Sequence, residues 1–148
     1  MALEHQALSR EFVLTGSVAA LAPGRDAIMN FVREYCGDEQ QEIDIMLALQ
    51  EALANAIFHG CGGDAGKLVH CTVEISPSTI EFIVRDPGTG FDSADPTDMA
   101  DDGTNLTEHG RGIHLMRSLM DEVTYSRKGT ELHLKKLRAN VGKKPAPQ

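Results

Sequence analysis

Apolar and polar positions change period several times along the chain, and each change marks an element. Residues 10–14, Arg-Glu-Phe-Val-Leu, predict a short first strand. Pro23 and Gly24 then open a helix in which Ile28, Phe31, Val32 and Tyr35 fall at i, i+3, i+4 and i+7. Gly37 stops that helix. Asp38 is placed to cap a second one, with Glu39 and Glu42 in the first turn, where the helix dipole favours anions. The second helix is expected to run to about His59, with Ile43, Met46, Leu47, Leu53 and Ile57 facing the core. Gly60, Gly62, Gly63 and Gly66 end it in a loop.

Beyond that loop the period becomes two. Val69, Cys71, Val73 and Ile75 alternate, Ser76-Pro77-Ser78 turns the chain, and Ile80, Phe82 and Val84 alternate again, which predicts a β-hairpin. Residues 91–109 carry Asp92, Asp95, Asp98, Asp101, Asp102 and Glu108 with no period, and are expected to form a mobile loop. Gly112 to Met120 reads as a short helix carrying Ile113, Leu115, Met116, Leu119 and Met120. Val123–Ser126, the turn Arg127-Lys128-Gly129 and a run from Thr130 predict a second hairpin. The order is β-α-α-β-β-loop-α-β-β, without internal repeats. Hairpins predict antiparallel pairing, so the expected architecture is an α+β two-layer sandwich with its helices on one face of a mostly antiparallel sheet. The glycine-rich stretches lack the strand-to-helix context of a dinucleotide-binding fingerprint.

Composition narrows this picture. A chain of 148 residues, 41% apolar and 24% charged, suits one soluble globular domain and is too short for two full cores. The domain is expected over residues 8–138. No apolar run approaches the ~20 residues of a membrane span. The start Met1-Ala2-Leu3-Glu4-His5-Gln6 lacks the order of a signal peptide. Cys36, Cys61 and Cys71 are odd in number and have no ligand spacing, which predicts free thiols and a cytoplasmic location. The net charge of −8 argues against a nucleic-acid partner. It also means that a nucleotide site here needs a metal, local cations or backbone N–H groups to offset phosphate charge. Residues 139–148, with Lys143 and Lys144, are expected to be a disordered basic tail.

Three clusters carry candidate chemistry. Asp44, Ala48, Glu51, Asn55 and His59 recur at steps of four, three, four and four, so they share one face of the second helix. Spacing alone fits a solvated face. It also fits a hard oxygen ligand for Mg²⁺, Asn55, one turn from a carboxylate able to take a proton, Glu51. Next, Arg85-Asp86-Pro87-Gly88-Thr89-Gly90-Phe91 follows a strand. It is an ordinary turn sequence, yet a carboxylate beside two glycines can accept from an amino group such as that of adenine. Last, His109-Gly110-Arg111-Gly112 precedes a helix, where free N–H groups, the dipole and Arg111 favour an anion; a plain hinge is the alternative.

Together, Glu-x-x-x-Asn-Ala, then Asp-Pro-Gly-x-Gly-Phe, then Gly-x-Gly-x-x-Leu-Met resemble the N, G1 and G2 boxes of the GHKL (histidine-kinase-like) ATPase superfamily, with its Bergerat-type fold. The segments Glu51–Gly60, Gly110–Met116, Leu119–Val123 and Lys128-Gly129-Thr130 look like the anti-sigma-factor serine/threonine-protein kinase family. The resemblance implies roles for particular residues. Asn55 would coordinate Mg²⁺ bridging the phosphates, and Glu51 would be the general base toward a substrate serine. Asp86 would bond the adenine amino group, with Gly88 and Gly90 shaping that pocket and Thr130 near the base. Gly110 and Gly112 would give N–H groups to phosphate, and residues 91–109 would be the ATP lid. Some members carry an Arg shortly before the first G2 glycine; here that stretch is Thr107-Glu108-His109 and Arg111 lies between the glycines.

The implied function is an ATP- and Mg²⁺-dependent kinase that phosphorylates a serine of an anti-anti-sigma (STAS) protein, binds a sigma factor and forms a homodimer. A sequestering module that binds ATP without transfer is one alternative. The other is the ATP-binding part of a histidine kinase; about nine residues precede the first strand, so no hairpin bearing a phospho-acceptor His is expected.

Overall fold

A computed structural model of the chain describes residues 8–88, 108–126 and 130–138. The elements, in order, are β1 (Leu8–Thr15), α1 (Leu21–Val32), α2 (Glu39–Asn55), β2 (Leu68–Ile75), β3 (Thr79–Arg85), α3 (Glu108–Leu119), β4 (Glu122–Ser126) and β5 (Glu131–Leu137). The strands form one sheet in the order β1-β2-β3-β5-β4, and all four described pairings are antiparallel. This is the α+β arrangement that the two hairpins predict.

The alternation in β2 and β3 divides the sheet into two faces. Val69, Cys71, Val73, Ile75, Ile80, Phe82 and Val84 are buried, in one core cluster with Ile28, Val32, Ile45, Leu49, Leu53 and Met116 from the helices. Their neighbours Glu11, His70 and Arg85 lie on the face turned away from the described helices, where Arg85 Nη2 and His70 Nδ1 each sit 3.4 Å from Glu11 Oε2.

Asp38 caps α2 as its sequence position predicts: its side chain accepts from Gln41 N–H at 2.8 Å, and Gln41 Oε1 accepts from Gly37 N–H at 2.9 Å. Two expectations about the helices are corrected. Ile43 and Leu47 do not face the core; they are 43% and 40% exposed, while Ile45, Ala48, Leu49, Ala52 and Leu53 are buried. Apolar residues surround most of this helix, so the 3.6-residue period does not single out one stripe. The packing decides instead, because α2 lies on the sheet with α1 and α3 also packed against it. Second, the helix does run through His59, but its α geometry stops at Asn55 and its last turn, Ala56–Gly60, is a π turn.

Helix α3 is anchored at its C-terminal end. Lys136 Nζ donates to Leu119 O at 2.5 Å and lies 3.4 Å from Asp44 Oδ2, tying β5, α3 and α2 together where a helix dipole favours a cation. Residues 91–107, the turn 127–129 and the tail 139–148 lie outside the described residues.

Candidate nucleotide site

Glu51 and Asn55 are half-buried in the last turns of α2, one turn apart. Helix α3 crosses directly over them. A Cβ built on Gly112 would stand 3.0 Å from Glu51 Oε1, 3.4 Å from Asn55 Nδ2 and 3.7 Å from Asn55 Oδ1. The face shared by Asp44, Ala48, Glu51 and Asn55 is therefore a helix junction rather than a solvated surface. Gly112 admits the approach because it carries no side chain.

Helix α3 begins at Glu108, four residues before the expected start, so His109-Gly110-Arg111-Gly112 lies within its first turns rather than ahead of it. The unbonded N–H groups of such a helix are those of its first turn, through Gly110. Gly112 comes just after them, and what the structure displays at Gly112 is a close approach. The side chains of residues 108–111, including Arg111, and the whole of Gly90 lie outside what is described.

Asn55 Nδ2 is buried and makes no hydrogen bond of ordinary geometry among the described residues. Tyr125, on the inner face of β4, adjoins it. Burial pushes the Tyr125 hydroxyl well above its ordinary pKa, and a hydrogen bond with the Asn55 side chain pulls partly the other way. Next to a carboxylate and under a glycine, the Asn55 amide offers two different groups: Oδ1, a hard oxygen suited to a cation that keeps water and phosphate oxygens around it, and Nδ2, a donor suited to a phosphate oxygen. Among the described residues no group of three or more His, Cys, Asp or Glu side chains is placed to hold a metal by itself, so Mg²⁺ held by Asn55 would depend on phosphate and water for its other ligands.

Asp86 leaves the end of β3. Its N–H donates to Thr130 O at 3.0 Å, and its Oδ1 accepts from Gly88 N–H at 2.8 Å. Burial raises its pKa, opposed by the Gly88 N–H. Asp86, Gly88 and Thr130 thus form one corner, and Gly60 at the end of the π turn packs into it. The segment from Glu51 to Gly60 joins this corner to the α2–α3 junction.

Two residues escaped the sequence reading. Gly60 reads as a helix breaker at the end of the family-like segment Glu51–Gly60, and Tyr125 as one residue of the predicted strand Val123–Ser126. Nothing local marks either, because each acts through a partner more than 20 residues away.

A cavity of about 640 Å³ lies beside this corner, lined by Glu11, Lys67, His70, Arg85 and Asp86 among others. It lies on the Glu11–Arg85 side of the sheet and shares Asp86 with the candidate site but not Glu51, Asn55 or Gly112, so it does not mark the α2–α3 junction.

Comparison with known proteins places these features in a family. The sequence model of the histidine kinase-like ATPase domain matches residues 14–136. An anti-sigma F factor of Geobacillus thermodenitrificans is 30% identical over 117 residues, covering 76% of this chain and 80% of that protein. The anti-sigma F factor of Priestia megaterium is 28% identical over 118 residues, 76% of this chain and 80% of its own. Among solved structures, the RsbU and RsbW domains of a Mycobacterium tuberculosis protein superpose with a TM-score of 0.61 at 15% identity, a likeness of fold. That match covers 95% of this chain and 33% of the longer one. Among the described residues no helix is long and apolar enough to cross a membrane.

Proposed function

The chain belongs to the histidine kinase-like ATPase family, with anti-sigma factors among its relatives, and on that premise we propose that it is an ATP-dependent serine-protein kinase of the anti-sigma class. It binds ATP with Mg²⁺, transfers the γ-phosphoryl group to a serine of an anti-anti-sigma (STAS) protein and binds a sigma factor in a partner switch. It does so as a cytoplasmic homodimer whose ATP-binding domain spans residues 8–138, with residues 91–109 as lid and 139–148 as a solvated tail. One observation supports this reading most directly: Gly112 of α3 rests on Glu51 and Asn55, so residues distant in sequence meet as a carboxylate, an unspent amide and a helix near its N-terminal end.

The chemistry follows from those groups. Glu51 takes the proton of the attacking serine hydroxyl as its oxygen bonds to the γ-phosphorus and the bond to the leaving ADP oxygen breaks. Asn55 would hold Mg²⁺ through Oδ1, and the ion would offset phosphate charge. The first turn of α3, through the Gly110 N–H, sets positive charge toward the phosphates, and Arg111 adds to it. Gly112 lets that helix close on Glu51. Asp86 accepts from the adenine amino group, Gly88 and Gly90 shape its pocket, and Thr130 holds the Asp86 backbone. In an acidic protein these local donors are what makes a triphosphate acceptable.

Incubation with γ-labelled ATP, Mg²⁺ and STAS proteins from the same genome tests the reading. Label on a serine is the expected result. The second reading is a sequestering module in which ATP shapes the surface without transfer; the relatives' name, anti-sigma F factor, fits either. ATP-dependent complex formation without label would replace the first reading by the second.

A further inference from the structure

The α geometry of α2 gives way after Asn55 to the π turn Ala56–Gly60, closed by Cys61 N–H donating to Ala56 O at 2.9 Å. A π turn takes up one residue more than an α turn, so it re-aims everything beyond it. Here it brings the Cα of Gly60 against a side chain at the far end of β3. A Cβ on Gly60 would stand 2.2 Å from Asp86 Cγ, 2.4 Å from Oδ1 and 2.6 Å from Cβ. No real contact is that short, so one of the two groups would have to move.

Asp86 is the group least able to keep its place by small adjustment. Its backbone N–H is tied to Thr130 O, and its Oδ1 is held by Gly88 N–H. A Cβ on Gly88 would in turn lie 2.9 Å from Oδ1 and 2.9 Å from both Cα and O of Gly60. The carboxylate is wedged between two glycines. Its Oδ1 is spent on the protein, while Oδ2 makes no hydrogen bond among the described residues and is left for a donor from outside.

We propose that Gly60 is a positioning residue that sets base selectivity: by keeping the space beside Asp86 empty, it holds Oδ2 where it accepts the exocyclic amino group of adenine. The inference rests on the base-binding role proposed for Asp86 and goes beyond it, because Gly60 itself touches no ligand. Any side chain at position 60 turns the carboxylate out of its wedge and leaves the phosphate end of the site as it was.

The test compares binding of ATP with binding of purine riboside triphosphate, whose 6-amino group is replaced by hydrogen, to the full chain in the presence of Mg²⁺. A site built to hydrogen-bond a ligand group rejects the analogue lacking it, so the unmodified protein is expected to prefer ATP by at least ~10-fold. In Gly60→Ala that preference should collapse to less than ~3-fold through lost ATP affinity, while affinity for the analogue stays unchanged. Merely structural damage would weaken both ligands together. A Gly60→Ala variant that keeps the full preference overturns the role of Gly60 and leaves Asp86 standing. An unmodified protein with no preference overturns the inference together with the base-binding role of Asp86. If Gly60→Ala does not fold, Gly88→Ala decides, since its Cβ strikes the same Oδ1: a collapsed preference supports the wedge and a retained one overturns it.

Discussion

The two ends of the candidate site are built on opposite plans. At the base end, Asp86 is packed between Gly60 and Gly88, and both its backbone N–H and Oδ1 are already hydrogen-bonded within the protein. At the phosphate end, Asn55 holds a buried amide nitrogen without a hydrogen bond of ordinary geometry among the described residues, and the nearest approach of α3 is a glycine over a flexible carboxylate tip. One end is organised before the ligand comes, and the other is completed by it. A rigid carboxylate selects a base through geometry. A buried N–H donor without a well-placed acceptor costs free energy until a phosphate oxygen arrives to accept from it, so binding phosphate relieves a cost the folded protein already carries.

The contrast can be broken by substitution, and the largest effect belongs to Glu51. Glu51→Gln keeps the shape and removes the base, so phosphoryl transfer should fall by ~100-fold or more, the usual contribution of a general base, with ATP affinity nearly intact. Loss of ATP binding in that variant would reassign Glu51 to binding. Asn55→Ala should remove the Mg²⁺-dependent part of ATP affinity, by about 10-fold or more, and leave binding in EDTA unaltered. Equal affinities with and without Mg²⁺ in the unmodified protein would sink the ligand role of Asn55.

The pH response sharpens the contrast further. Burial raises the Asp86 pKa, against the pull of the Gly88 N–H, so its carboxylate protonates at a higher pH than an ordinary Asp does. Accepting from an amino group requires the ionised form, so ATP affinity should begin to fall at a higher pH than an unperturbed Asp would allow. Stability should move the other way. Between the folded and unfolded pKa values the folded state binds more protons, so unfolding becomes harder as pH falls through that window. Asp86→Asn should flatten both curves, read by titration of binding and by melting temperature. If the curves of the unmodified protein already match those of the variant, Asp86 is not the titrating group.

The smallest effect is expected at Gly112. In Gly112→Ala the new Cβ meets the end of Glu51, which can shift by a few tenths of an ångström. Replacing a helix glycine by Ala gains about 0.5–1 kcal/mol. Melting temperature should therefore rise by about 1–4 °C while transfer slows, because Glu51 is displaced. A variant as active as the parent would show that the crossing of α3 does not constrain Glu51. The contrast with Gly60→Ala is the point: a similar added methyl group meets a flexible tip at one end and a wedged carboxylate at the other.

Local signals determined much of this protein. The alternation in Val69–Ile75 and Ile80–Val84 predicts a hairpin because sheet burial has a period of two, and Asp38 predicts a helix start because an N-cap is a short-range bond. Glu51 and Asn55 stand one turn apart for the same local reason. The order of the three motifs points to the family before any coordinate is known. Which face of α2 is buried was not legible, because Ile43 and Leu47 are as apolar as Ile45 and Leu49, and only the sheet beneath and α3 alongside distinguish them. The tertiary structure also decided that α3 starts at Glu108, that α2 leaves its α geometry at Asn55, and that Gly60 and Asp86 occupy one space. These are contacts between residues far apart in sequence, whose outcome depends on shape and excluded volume. Periodicity carries no record of shape, so only the folded chain could settle them.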